Sequence, residues 1–161
     1  MVDQQFRRNM SETKKAGIAR GAYHFFIGSE SGKMQAQNFI ETVILRPGDL
    51  PPVLDVETAN GASATDLQQR VADWLAVIEK KYGVKPLIYT NVDFYKNFLA
   101  GRFDDYPLWV AHYLAKDRPA ITRSWLFWQH NEKGNVTGIR SHVDFNVFNG
   151  DSTAFRKLLI K

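Results

Sequence analysis

The sequence of 161 residues contains no cysteine. Disulfide bonds, thiolate catalysis and thiolate-rich metal sites are therefore excluded. The lack of disulfides leaves the compartment undecided, because secreted proteins can also lack them. No apolar run approaches the ~20 residues that a membrane-spanning helix needs, and the polar N-terminal stretch does not resemble a signal peptide. Long runs of lysine and arginine are also missing, which argues against nucleic acid as a partner.

The residues that are present are typical of a soluble globular protein. Apolar residues make up 44% of the chain and charged residues 24%, as in ordinary folded domains. The length suffices for one domain with a real core and is too short for two ordinary ones, so we predict one domain over residues 1–161. The net charge of +4 fits either an ordinary surface or attraction to an anionic polymer such as bacterial cell wall.

Hydrophobic periodicity predicts helices and strands that alternate along the first two-thirds of the chain. The helix with the clearest apolar stripe ends at Gly83, a typical C-cap, and the last helix has Ser152 or Thr153 as its expected N-cap. Helices are predicted at 3–18, 32–44, 64–83, 92–101 and 151–161. Strands are predicted at 19–26, 51–57, 85–91, 107–113, 124–130 and 142–148.

This order of elements favours a parallel sheet with helical crossovers, either open or closed into a barrel. After Gly101 the pattern changes, because only short polar connections separate the last three strands. The segment Leu114–Ser124 is marginal in length for a crossover that carries its own helix. The sequence therefore predicts helices between the early strands only.

Two carboxylates stand at the end of the strand predicted in "PPVLDVET". Asp55 and Glu57 are two residues apart, so on a strand they point to the same face. Their side chains start roughly 6.6 Å apart, which is compatible with either a retaining or an inverting glycosidase pair. The alternative is structural, with both acids satisfied by backbone or arginine partners. A buried carboxylate pair is costly unless it holds a proton, which is the condition that a general acid needs.

The segments "GAYHFF", "PPVLDVE", "PLIYTN", "PLWVAHY", "FWQH" and "VDFNVF", in this order, resemble the glycoside hydrolase family 25 lysozymes, which are Chalaropsis-type muramidases. The likeness covers essentially the whole chain. It implies a modified TIM-type (β/α)5(β)3 barrel, here incomplete with about six of eight strands. It also implies hydrolysis of the β-1,4 bond between N-acetylmuramic acid and N-acetylglucosamine in peptidoglycan.

The resemblance also implies roles for individual residues. Glu57 would be the general acid/base, with a pKa raised by burial and by Asp55. Asp55 would orient or stabilise the N-acetyl group of the substrate, or stabilise an oxocarbenium-like centre, and Asp144 would support the site from the last strand. Each aromatic residue of the implied sugar groove could equally serve as core. That groove would be lined by Tyr23, Phe25, Tyr89, Trp109, Tyr113 and Gln129.

One departure from the family pattern concerns the N-terminus. Family members have two strands, the first with a G-x-D-x-S-type motif, ahead of the helix that resembles "DQQFRRNM", and both are absent here. We therefore expect an N-terminally shortened form that lacks the first-strand aspartate. The edges of "ARGAYHFF" and "HVDFNVF" would be left unpaired, which favours self-association.

The leading hypothesis is a lysozyme-type glycosidase that acts on peptidoglycan glycan strands, outside the cell or in its envelope, with activity either retained or impaired after the shortening. The alternative is a catalytically silent peptidoglycan-binding module. A metal-dependent hydrolase is disfavoured, because the four histidines show neither H-x-H nor H-E-x-x-H spacing. We predict no metal and no cofactor. The histidines are His24, His112, His130 and His142.

Overall fold

The computed structural model describes residues 2–161 as one six-stranded sheet that curls into a half-barrel, with helices packed on its outer face. The strands follow one another in chain order, the first five parallel and the last antiparallel to its neighbour. All six predicted strands are confirmed. They are β1 (Tyr23–Phe25), β2 (Val53–Asp55), β3 (Leu87–Asn91), β4 (Leu108–Ala111), β5 (Phe127–Gly134) and β6 (Val143–Phe148).

The predicted helices are also confirmed, with differences at their ends. Asp151 caps the last helix, since its side chain accepts a hydrogen bond from the Ala154 amide at 2.7 Å. The expectation of Ser152 or Thr153 as the cap is therefore wrong by one or two residues. Within residues 2–161, no helix is long and apolar enough to cross a membrane. The helices are α1 (Phe6–Lys15), α2 (Gly32–Thr42), α3 (Ala64–Tyr82), α4 (Val92–Phe94), which continues into a π-helical turn (Tyr95–Leu99), and α5 (Ser152–Leu158).

Helix α3 shows how local sequence sets the helix ends and the buried face. The Ser63 hydroxyl accepts a hydrogen bond from the Asp66 amide at 3.1 Å, which satisfies one of the free donors of the first turn. Gly83 ends the helix in the left-handed conformation at φ 69°, where glycine pays no steric penalty. The buried stripe lies at helical spacing and comprises Leu67, Val71, Trp74, Leu75 and Ile78.

The outer core lies between the sheet and the helices. Leu54 and Val56 point into it from β2 and its extension, and both are 0% exposed. Helices α2 and α3 approach closely at Gly32, where an added Cβ would lie 1.9 Å from the Arg70 carbonyl oxygen. Glycine is needed there because no larger residue fits between the two backbones.

A smaller inner core fills one end of the curled sheet. Val53, Leu87 and Phe127 are buried on its concave face, and Phe155 and Leu158 of α5 pack against this cluster. Beyond α5 the chain pairs with the loop before β2, where the Ile160 amide donates to the Asp49 carbonyl and the Gly48 amide to the Ile160 carbonyl, both at 2.9 Å. Helix α5 therefore closes the end of the half-barrel at which the parallel strands begin.

The connection between β4 and β5 crosses between parallel strands without a helix. Arg123 holds this connection in place, because its guanidinium donates to the Phe103 carbonyl at 3.3 Å and lies 3.4 Å from the Asp104 carboxylate. The prediction that helices stop after the early strands is confirmed.

Strand β1 forms an edge of the sheet in residues 2–161, and its apolar side chains are exposed. Tyr23 is 69%, Phe25 51% and nearby Ile27 43% exposed. An open groove of about 810 Å³ runs beside them between α1, β1 and α2. An apolar edge of this kind is a template for further strand pairing. Self-association through this edge stays a prediction.

Candidate active site

Asp55 and Glu57 lie at the carboxyl end of β2. The strand ends at Asp55, and the Val56 amide extends its ladder by donating to the Tyr89 carbonyl at 2.9 Å. Val56 is fully buried in the outer core, so Asp55 and Glu57, its neighbours on either side, project toward the opposite, concave face. The two acids therefore share one face, as their spacing predicts.

Both carboxyls are harder to ionise than free acids. Burial, followed by the nearby charge of Glu57, raises the pKa of Asp55 to about 7. Burial also raises the pKa of Glu57, opposed by a hydrogen bond with the side chain of Asn91. Asp55 Oδ1 is buried and has no hydrogen-bond partner among the described residues. Two neighbouring acids of this kind titrate as a pair and keep a proton toward neutral pH.

Tyr89 connects the acids to the rest of the concave face. It stands opposite Asp55 in the β2–β3 register, and its hydroxyl donates to the Gln129 side-chain oxygen of β5. Its hydroxyl is also a hydrogen-bonding neighbour of Tyr113. Burial and the charge of Glu57 raise the pKa of Tyr89, so it remains a hydrogen-bond donor over the working pH range. Tyr89, Gln129 and Tyr113, all predicted site residues, are thus brought together.

Trp109 forms the next part of this face. Its ring lies 5.9 Å from that of Tyr89, edge to face, and 4.9 Å from that of Phe127. Its indole nitrogen donates to the side-chain oxygen of Asn146 on β6 at 2.8 Å. This bond joins β4 to β6 across β5 and holds the indole plane in a fixed orientation.

Asp144 is the second residue of β6 and is exposed. It is two residues from Asn146, so both side chains project toward the same face of the strand. Asp144 and Glu132 are close enough for their charges to act on the Tyr113 hydroxyl. The structure thus places Asp144 at the rim of the concave face, across from the acid pair.

Tyr23 and Phe25 reach the same face from β1. Phe25 is opposite Asp55 and Tyr23 is opposite Val53 in the parallel register. Both are more than half exposed, in contrast to the packed ring of Trp109. They extend the aromatic surface from the acid pair to the open edge.

The histidines do not join the carboxyl pair. His24 lies on the outer side of the sheet, stacked on Trp74 with ring centroids 6.0 Å apart, and its Nε2 bonds the Gln35 side-chain oxygen at 3.0 Å. The His112 Nδ1 accepts a hydrogen bond from the Ala120 amide at 3.1 Å. Across residues 2–161, no group of three or more histidine or acidic side chains is arranged to hold a metal ion.

Two further residues belong to the site, Asn91, which the sequence places at a strand end without a specific role, and Asn146, which the sequence does not single out. Asn91 ends the strand that carries Tyr89, and it caps α4, a signal readable as N-x-x-F at a strand-to-helix junction. Asn146 follows Asp144 by two residues, so the period of a strand places it on the same face. Its bond to Trp109 joins residues 37 positions apart and leaves no local pattern.

The fold and the site together define a class. A curled parallel sheet with paired carboxyls and aromatic side chains at the carboxyl ends of its strands has the arrangement of an α/β-barrel with its site at the C-terminal mouth. Within this class the family model for "Glycosyl hydrolases family 25" matches residues 1–139. The chain therefore belongs to glycosyl hydrolase family 25, and the predicted fold, an incomplete TIM-type barrel, is confirmed.

Individual proteins agree with this assignment. The structure of a family 25 glycosyl hydrolase from Bacillus anthracis superposes with a TM-score of 0.90 at 30% identity, over 98% of this chain and 76% of that one. The uncharacterized protein YegX of Escherichia coli is 47% identical over 150 residues, which are 93% of this chain and 55% of that protein. Lysozyme M1 of Streptomyces globisporus is 32% identical over 166 residues, covering 93% and 56%. The chain thus spans about half the length of these two sequence relatives.

Proposed function

We propose that this chain is a peptidoglycan hydrolase that cleaves the β-1,4 bond between N-acetylmuramic acid and N-acetylglucosamine. The observation that carries the proposal is the pair of proton-holding carboxyls, Asp55 and Glu57, on an aromatic-lined concave face. Glycoside hydrolysis needs such a pair, one member to protonate the leaving oxygen and the other to stabilise the developing positive charge. Membership of the family supports the same reaction, and its substrate places the site of action at the cell wall.

Glu57 is the proposed general acid. Glu57 lies just beyond the end of β2 and has a longer side chain than Asp55. Its carboxyl can therefore reach a glycosidic oxygen that lies across the mouth of the half-barrel. Burial raises its pKa, which favours the protonated form that an acid catalyst needs. In the reaction Glu57 gives its proton to the leaving O4 as the bond from C1 to O4 breaks. The carboxylate then takes a proton from the incoming water.

Asp55 is the proposed partner for the N-acetyl group of the substrate. Its buried Oδ1 lacks a hydrogen-bond partner among the described residues, and an acetamido N–H would supply one. That bond favours the ionised form of Asp55, while the bound sugar removes water from Glu57. Substrate binding therefore moves the shared proton of the pair from Asp55 toward Glu57. The acetamido oxygen then attacks C1 as the C1–O4 bond breaks and Glu57 protonates O4, with Asp55 stabilising the positive charge on the acetamido group. Water next attacks C1, breaks the bond from C1 to the acetamido oxygen and gives its proton to the Glu57 carboxylate.

The aromatic side chains are the proposed sugar-binding surface. Trp109 is held by its packing and by Asn146, so it offers a rigid apolar face to a sugar ring. Tyr23 and Phe25, which are exposed beside β2, extend this surface away from the acids. Tyr113, Gln129 and Asp144 supply polar groups on the other side.

Turbidity clearing of purified bacterial cell walls tests the proposal. We expect the wild-type chain to clear walls and to release reducing ends, and Glu57→Gln to lose activity by about 10²–10⁴-fold. The matched control is Glu41→Gln, the same change at an exposed position of α2. Equal clearing by Glu57→Gln and the wild type would contradict the assignment of Glu57.

The same preparations test the alternative of a silent wall-binding module. Sedimentation of the wild-type chain with cell walls, without clearing or reducing ends at any pH, would favour that alternative. Neither sedimentation nor clearing would reject peptidoglycan as the ligand.

A further inference from the structure

We propose that Asn91 is a positioning residue for Glu57. Its side-chain oxygen is held by the first turn of α4, which leaves its side-chain nitrogen to donate a hydrogen bond to the Glu57 carboxylate. The catalytic consequence rests on the proposed function, whereas the contact itself can be tested without any activity.

The backbone brings these two side chains together. Asp55 is opposite Tyr89 in the parallel β2–β3 register, and the bond from Val56 to Tyr89 carries the pairing beyond the end of β2. Two residues further along both chains, Glu57 comes beside Asn91 on the same face. Asn91 is the last residue of β3, so its position is fixed by the sheet rather than by a loop.

The orientation of the Asn91 amide group follows from its role as a cap. Its Oδ1 accepts a hydrogen bond from the Phe94 amide at 2.8 Å, with the backbone in the extended conformation of an N-cap, φ −86° and ψ 163°. An asparagine has one acceptor oxygen and one donor nitrogen. With Oδ1 committed to α4, Nδ2 is the group available to Glu57, and a flip of the amide would cost both contacts.

Asn91 faces Glu57 as a neutral hydrogen-bond donor among groups that include negative charges. Asp55 of β2 faces Glu57 with a like charge when ionised. Tyr89 of β3 and Tyr113 beyond β4 face it with hydroxyls, and Glu132 and Asp144 add negative charge around Tyr113. A hydrogen bond from Asn91 lowers the pKa of Glu57, in opposition to burial. It therefore stabilises the carboxylate that remains after Glu57 has given up its proton.

Two substitutions separate the positioning role from the capping role. Asn91→Asp and Asn91→Ser both retain a good N-cap, but neither can donate to Glu57 as the amide does. We expect the pKa of Glu57 to rise in both, by about one pH unit or more in Asn91→Asp, which adds a like charge. We expect kcat to fall about tenfold with little change in KM, and the basic limb of the pH–rate profile to move to higher pH. The control is Asp93→Asn, an exposed position in the same short helix.

The pKa of Glu57 is measured by ¹³C NMR of its carboxyl carbon, assigned by Glu57→Gln, with thermal unfolding as the test of folding. A Glu57 pKa equal to that of the wild type in both folded variants would overturn the proposal. In the wild-type chain the Asn91 side-chain amide protons should shift with pH at the Glu57 pKa, and this shift should vanish in Glu57→Gln. Absence of the shift would also overturn it, even if the variants failed to fold. A coupled titration without wall clearing would reject the proposed function but leave the contact between Asn91 and Glu57 standing.

Discussion

Arg20 and Asp49 form an ion pair in which Arg20 Nε lies 2.8 Å from Asp49 Oδ1, and the two side chains are only 11% and 7% exposed. The guanidinium of Arg20 also donates to the Met10 carbonyl of α1. Asp49 Oδ2 accepts from the Arg46 amide at 2.8 Å. The pair therefore joins α1, the segment before β1 and the loop before β2.

We predict that Asp49→Asn destabilises the fold by about 3–5 kcal/mol, because it leaves the buried Arg20 guanidinium without its counter-charge. Urea denaturation measures the free energy of unfolding. The control is Glu12→Gln, which breaks the exposed pair between Lys15 and Glu12 and should cost no more than about 1 kcal/mol. An equal loss of unfolding free energy in the two variants would show that the buried Arg20–Asp49 pair contributes no more to stability than an exposed ion pair.

Asp55 should lower the stability of the fold as pH rises. Its pKa is about 7 in the folded chain against the ordinary 3.8, so the folded state binds more protons than the unfolded state between these values. Stability is then full below about pH 4 and falls until about pH 7. This difference between the folded and unfolded pKa of Asp55 corresponds to a loss of at most ~4 kcal/mol in the free energy of unfolding. Partial solvent exposure of the carboxyl reduces the expected loss to about 1–3 kcal/mol.

Asp55→Asn should therefore be more stable than the wild type at pH 8 and gain little at pH 4, as measured by unfolding at both values. The comparison variant is Asp144→Asn, at an exposed carboxyl of β6, for which we expect the same stability change at both pH values. A pH-independent effect of Asp55→Asn would mean that Asp55 is not held in its protonated form by the fold.

The pH–rate profile should follow the acid pair. Burial raises the pKa of both Asp55 and Glu57, and cleavage needs one proton on the pair. We expect kcat/KM to fall about tenfold per pH unit above about pH 7, where the free protein loses its last shared proton. In Asp55→Asn the residual activity should begin to fall at a lower pH, because only the Glu57 proton remains. A flat profile from about pH 6 to 9 contradicts this mechanism.

Trp109→Phe should weaken substrate binding without affecting the acid pair. The phenyl ring can keep the packing against Tyr89 and Phe127 but lacks the donor to Asn146, so the ring loses its fixed orientation. We expect a rise in KM of roughly five- to tenfold, equivalent to about 1 kcal/mol for a lost hydrogen bond, with kcat nearly unchanged. Asn146→Ala should give a similar KM, and the double variant no further rise, because both remove the same bond.

The elements of this fold could be predicted because their signals are local. The stripe of α3 and its Gly83 cap, and the two-residue spacing of Asp55 and Glu57, can be read from neighbouring residues. The same holds for the lack of a helix between β4 and β5, which a short polar segment predicts. The family resemblance of six segments then predicted the order of the strands in the barrel.

Other features depend on residues far apart in the chain. Burial raises the pKa of both Asp55 and Glu57, and the charge of Glu57 adds to the effect at Asp55. This burial follows from the packing of strands that are far apart in the sequence. The bond from Trp109 to Asn146 and the closing of the inner core by α5 likewise have no pattern in sequence.

Helix α5 makes the two ends of the half-barrel mechanically unequal. At one end the C-terminal segment links the last strand to the loop before β2, through the packing of Phe155 and Leu158 and the backbone hydrogen bonds of Ile160. At the end that carries the acids, no comparable contact links β6 to β1 among residues 2–161. We therefore expect the rim to move more readily than the closed end of the half-barrel. Amide hydrogen exchange should accordingly be slowest around Val53 and Leu87 and fastest toward the rim.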